Sequence, residues 1–167
     1  AQTITRNAVG VEMLKVRVSG SGTVNTLGVK RLGAGATADF GDIYVYDGPK
    51  RLTSGKSFSS SSGEITFLLN VAVSGSKDLS VVADMSAATA GNVNYVQLNG
   101  MTATGGSSVS GVPLNGNNFS VSGASSGTLD TAKVGSISNP TIGQKQAQLS
   151  EFKLTANTEG ASIKRLT

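Results

Sequence analysis

The sequence predicts an all-β protein, and three observations carry that prediction. Apolar residues recur at every second position in run after run, the period that turns one side of a strand toward a core. Leu14, Val16 and Val18 alternate with Lys15 and Arg17, and Ile65, Phe67, Leu69, Val71 and Val73 hold one side for five alternations. The runs are separated by Gly, Ser and Asn, residues that turns favour, and glycine alone supplies 22 of the 167 residues. No stretch carries the 3.6-residue period of an amphipathic helix.

Taken in order, residues 2–11 are a polar lead-in to a first strand centred on residues 14–19. Ser19-Gly20-Ser21-Gly22 predicts a turn, and a second strand covers residues 24–32. Gly33-Ala34-Gly35-Ala36 is a loop of small residues. Ile43 and Val45 then alternate with Tyr44 and Tyr46, and Asp47-Gly48-Pro49 has turn chemistry. Residues 50–53 return as a short strand with a basic edge, which discourages edge pairing. A Ser-rich loop leads to the alternation over residues 65–73, the predicted central strand, with Thr66, Leu68, Asn70 and Ala72 on its other side. Ser74-Gly75-Ser76 predicts a further turn, into Leu79, Val81, Ala83 and Met85. A strand over residues 93–98 closes at Asn99-Gly100. About seven strands thus fall between residues 11 and 104, the number and size of an Ig-like Greek-key β-sandwich. The spacing also suits another Greek-key sandwich or a small barrel.

Composition shifts to Gly, Ser and Thr over residues 103–111, which places a module boundary there: residues 1–104 as the sandwich, residues 105–167 as a partial second β module. Modest strands are predicted over 119–122 and 128–134, then a connector, then a hairpin over 148–167. That hairpin repeats the opening one. Leu14-Lys15-Val16-Arg17-Val18-Ser19 and Val29-Lys30-Arg31-Leu32 are echoed by Ser150-Glu151-Phe152-Lys153-Leu154-Thr155 and Ile163-Lys164-Arg165-Leu166. A unit of this size buries few large side chains and is marginal alone. It is completed by sequence after Thr167, by strands of a neighbouring chain, or by joining the sheets of the first module. Phe152, Leu154, Ile163 and Leu166 are the candidate assembly residues.

The residue inventory narrows function by exclusion. There is no His and no Cys, which removes disulfides, thiolate chemistry and every His-dependent triad. The net charge of +4 is spread along the chain, and aromatics at 5% are not interleaved with Lys or Arg, so no nucleic-acid interface is expected. No apolar run reaches the length of a membrane helix. Charged residues at 14% are sparse for a cytosolic surface. The start Ala1-Gln2-Thr3 has the look of a chain after signal-peptide removal, or of a cut fragment. A secreted, cell-surface location is the expectation.

The order of these elements resembles a known family. Residues 14–32, then Asp42-Ile43-Tyr44-Val45-Tyr46-Asp47-Gly48, the strand around Phe67, and Leu79-Ser80-Val81-Val82-Ala83-Asp84-Met85 resemble tandem Ig-like β-sandwich repeats of bacterial cell-surface proteins, of S-layer-like, adhesin-like or filament-forming type. The resemblance covers residues 11–104, with the tail similar to the head of a next repeat. It implies an extracellular structural role and no transferable catalytic site.

The candidate sites each have a plainer explanation beside them. Asp39, Asp42 and Asp47 flank one hairpin and are candidate calcium ligands, although their spacing matches no EF-hand loop and turns favour Asp. Tyr44 and Tyr46 share one side of a strand and form a candidate binding patch, or simply pack with cross-strand neighbours. Asn118-Phe119-Ser120 is the only N-glycosylation sequon. Lys15 and Asn94 sit on predicted strands and are weighed as an isopeptide pair, but alternation turns Lys15 to solvent. With few acids, all on or near turns, no enzyme is expected. The sequence therefore points to a non-enzymatic extracellular structural protein, a subunit or repeat of a surface filament or surface layer assembled through β-strand complementation or module stacking. An adhesin or carbohydrate-binding module is the alternative. The expected partner is the protein itself, as a homopolymer or as neighbouring repeats. No cofactor is expected beyond the calcium candidate.

Overall fold

The computed structural model describes residues 2–86, 89–105, 109–125 and 127–157. Contacts divide the chain into a first unit, residues 1–125, and a second, residues 126–167. The first holds β1 (Gln2–Arg6), β2 (Val11–Leu32), β3 (Phe40–Asp47), β4 (Lys50–Arg51), β5 (Glu64–Met85), β6 (Val93–Thr104), β7 (Leu114–Asn115) and β8 (Phe119–Ser125). The second holds β9 (Thr128–Lys133) and β10 (Phe152–Asn157). Among the described residues the only helical element is one 3-10 turn, Thr37–Asp39. The architecture is all-β, as alternation predicts.

The first unit is a sandwich made by two strands of 22 residues, β2 and β5. They run antiparallel from Val11 opposite Ala83 to Lys30 opposite Glu64. The sheet order is β1-β8-β6-β2-β5-β3-β4, with β7 beside β6. Every pairing is antiparallel except that of β1 with β8. Leu14 and Val16 from the first half of β2, and Val24, Leu27 and Val29 from the second, belong to one buried cluster. Residues on one side of a continuous strand can share a core in this way only if the sheet folds back over itself.

The fold-back corrects two expected turns. Ser19-Gly20-Ser21-Gly22 and Ser74-Gly75-Ser76 do not end their strands; Gly20 lies directly opposite Gly75 in the ladder. Both sit at positive φ, 138° and 87°, which L side chains rarely adopt. A Cβ at Gly22 would collide with the Thr104 carbonyl oxygen. Glycines that read as punctuation in sequence are here the bend of two unbroken strands. Five strands, not seven, therefore lie between residues 11 and 104 among the described residues.

A further difference concerns the module boundary. The sequence reading ends the first module at residue 104, but β7 pairs with β6, β8 pairs with β6 and β1, and all lie in the first unit. Phe119 and Val121 are 1% and 3% exposed and belong to its core. Alternation does not reveal this, because one partner of β8 is a parallel strand more than a hundred residues away.

The described residues of the second unit form a two-stranded ribbon in which Phe152 faces Lys133 and Asn157 faces Thr128. Directly opposed residues of an antiparallel pair point to the same side. Phe152, Leu154 and Ala156 therefore share one side with Lys133, Thr131 and Leu129, while Lys153, Thr155, Ala132 and Asp130 share the other. None of the unit's described residues is buried.

Candidate functional site

Because each long strand bends, each leaves one half with a neighbour on one side only. Residues 64–73 of β5 pair with β2 and residues 12–20 of β2 pair with β5, and the described ladders give neither stretch a second partner. The sandwich consequently has two seams.

The seam beside β5 is closed by the segment 52–59. Leu52 donates its backbone N–H to Val45 at 2.8 Å, and Ile43 and Lys56 exchange two backbone hydrogen bonds of 2.8 and 3.1 Å. The Lys56 ammonium donates to the Thr66 carbonyl at 2.9 Å and lies 5.8 Å from the centre of the Phe67 ring. Phe58, 7% exposed, meets Phe40 edge-on with ring centres 5.2 Å apart.

The seam beside β2 is not closed in this way. Residues 109–116 run along it but bond to β6: the Gly116 N–H donates to Val96 at 2.8 Å, and the Gln97 amide donates to Asn115 at 2.7 Å. Between this segment and β2 lies a cleft of about 250 Å³, lined by Val16, Val18, Val24, Leu98, Met101 and Val112 among others. A shallower gap continues it between residues 12–15 and 114–117. On the outer side Arg17 grips Asp78 through two bonds of 2.7 and 3.0 Å. The hydrogen bond and charge of each partner stabilise the charged form of the other, so the Arg17 pKa is raised and that of Asp78 lowered.

The three candidate calcium ligands do not converge. Asp39 is 3% exposed and its carboxylate is already occupied. It accepts from the Ala36 N–H at 2.9 Å, from the Asn92 amide at 2.9 and 3.0 Å and from the Asn94 amide at 2.8 Å. Burial pushes its pKa up, but hydrogen bonds from Ala36, Asn94, Asn92 and Thr89 outweigh that and hold it below the ordinary carboxylate value. Asp47 is ion-paired with Lys77 at 2.7 Å, and Asp42 is exposed. Among the described residues no three acidic side chains gather as a metal site would require.

Asn94 is fully buried; its amide N–H donates to Asp39, and its amide oxygen accepts from the Arg31 guanidinium at 2.9 Å. This Arg31–Asn94–Asp39–Asn92 network was missed in the sequence, although Asn94 stands in phase with the inward Val96 and Leu98 and was open to reading as a buried polar group. It also disposes of the isopeptide pair: Lys15 is exposed, and Asn94 is held by other partners.

Tyr44 and Tyr46 do come together, edge-on at 6.4 Å. Arg51 covers the Tyr44 ring at 5.2 Å, and the Tyr44 hydroxyl donates to Asp84 at 3.1 Å. Desolvation first, then the Asp84 carboxylate, push that hydroxyl's pKa up. The pair braces the β3–β4 hairpin, with one ring covered. Asn118 is exposed, and its carbonyl accepts from the Gln2 N–H at 3.0 Å. Phe152 is 47% exposed and Leu154 half-buried; Ile163 and Leu166 lie outside the described residues. Compared with family models, curated proteins and solved structures, the chain matches none.

Proposed function

We propose that this chain is a non-enzymatic, extracellular structural protein, a subunit or repeat of a surface filament or layer whose modules complete one another's β structure. The observation that carries the reading is the second unit. Among its described residues it is a two-stranded ribbon on one side of which Phe152 and Leu129 are 47% and 46% exposed. Two strands alone are marginally stable in water, and a further strand or an apolar surface is needed to hold them. The absence of His and Cys and the resemblance to tandem surface repeats agree with a role in which the contact itself is the function.

Light scattering and negative-stain electron microscopy of the full chain test the reading. Particles should grow with concentration, and Phe152→Asp with Leu154→Asp should abolish them while circular dichroism keeps the β signal of the first unit. A chain that stays monomeric at every concentration would sink it.

A further inference from the structure

We infer that the open seam of the first unit is the acceptor for strand β10 of a second copy of this chain, laid parallel to β2 with Phe152 beside Val16 and Leu154 beside Val18. The inference rests on the self-assembly reading above and assigns the surfaces that it uses.

The first ground is the pair of edges. Residues 12–20 of β2 are laddered only to β5, and β10 only to β9, among the described strands. An unpaired strand edge is a template for another strand. The second is the cleft. At about 250 Å³, and continued by the gap along residues 12–15, it is a groove that follows the β2 edge. Among its described lining residues the one charged side chain, Arg17, is bonded to Asp78. Its polar positions lie beside an apolar wall of Val16, Val18, Val24, Leu98, Met101 and Val112, which apolar side chains delivered from a strand would cover. The third is the donor's pattern: Phe152, Leu154 and Ala156 project to one side of β10, and none is buried.

Charge selects the direction. With Phe152 beside Val16, the flanking residues of the donor emerge on the outer side of the sheet. In the parallel sense Glu151 comes beside Lys15, which has no ion-pair partner among the described residues. Lys153 then comes beside Arg17, already neutralised by Asp78. In the antiparallel sense Lys153 would face the unpaired Lys15, and Glu151 would face Arg17, whose charge Asp78 already meets. Opposite charges across a ladder stabilise and like charges destabilise, so the parallel arrangement is favoured. It is also the alignment in which residues 150–155 repeat residues 14–19. The fold already contains a parallel pair, β1 with β8.

The chain has no cysteine, so single cysteines can report the contact cleanly. Full-length Lys15→Cys and Glu151→Cys chains are mixed under mild oxidation, with Leu68→Cys, exposed on β5, replacing Lys15→Cys in the control. The mixed disulfide should form about tenfold faster than the control, as proximity raises effective concentration. In scattering titrations Lys15→Glu or Glu151→Lys alone should weaken association about fivefold, the size of a cross-strand charge pair. The double reversal should restore it. Association that ignores both reversals, with no preferred mixed disulfide, overturns the seam while self-assembly stands. A disulfide within one chain of the Lys15→Cys, Glu151→Cys double variant, read by intact mass, makes the donor the chain's own ribbon and overturns the second copy. A wild-type chain that is monomeric throughout overturns both readings.

Discussion

Where β3 approaches the first half of β5, a short segment bonds to β3 through its backbone and the Phe58–Phe40 contact, and to β5 through the Lys56 ammonium and the Ser59 N–H on Glu64. Where β6 approaches the first half of β2, a segment of similar length bonds to one side only and leaves a cleft of mixed apolar and polar lining. The two seams are equivalent consequences of one bend, yet only the first is finished. A bent, paired long strand necessarily creates two half-edges. What the chain places over each decides whether that edge is core or surface.

The largest effect should come from reopening the finished seam. Phe58→Ala removes the ring packed on Phe40 and should cost about 3–5 kcal/mol, as large-to-small aromatic changes in cores do, measured by urea denaturation. A polar test follows. Asp39→Asn exchanges an acceptor for a donor among Asn92, Asn94 and Ala36 and should cost about 2–3 kcal/mol. Because the folded pKa of Asp39 is lowered, its contribution is fully present above the unfolded value of about 3.9 and is lost as pH falls toward the folded one. The stability difference between wild type and Asp39→Asn should therefore shrink below about pH 4; a difference that grows on acidification would reverse the assignment. Lys56→Met, which uncaps Thr66, should cost about 1 kcal/mol. Leu114→Ala beside the open cleft, where the side chain is already 42% exposed, should change unfolding by less than about 1 kcal/mol. A loss as large as that of Phe58→Ala would mean that the seam is closed after all.

Alternation made the strands legible: Ile43, Val45, Ile65, Phe67, Leu79, Val81, Ala83 and Met85 are buried, and Leu68 on the opposite side is 77% exposed. The bends were not legible, because a Ser-Gly run marks a turn and a strained strand equally well, and only the facing glycine, more than fifty residues away, distinguishes them. Phe119 was assigned to the wrong neighbourhood for a related reason: its partners are set by tertiary pairing and leave no local period. Of the candidate site, the amphipathic pattern of Phe152 and Leu154 was visible in the alternation. The cleft that faces Val16 and Val18 was not, since a gap is defined by what fails to pair.

The long ladder has a kinetic side. Every rung between β2 and β5 joins residues more than thirty positions apart, so none forms as a local hairpin. The turn between β3 and β4 can close first, because it spans only a few residues. The central ladder must wait for a loop containing both of those strands to come round, and loop-closure entropy opposes that until many rungs form together. Such a chain belongs to the slow class of folders, completing in milliseconds to seconds. Its longest ladder is the step that sets the time during which two sticky half-edges stand open at once.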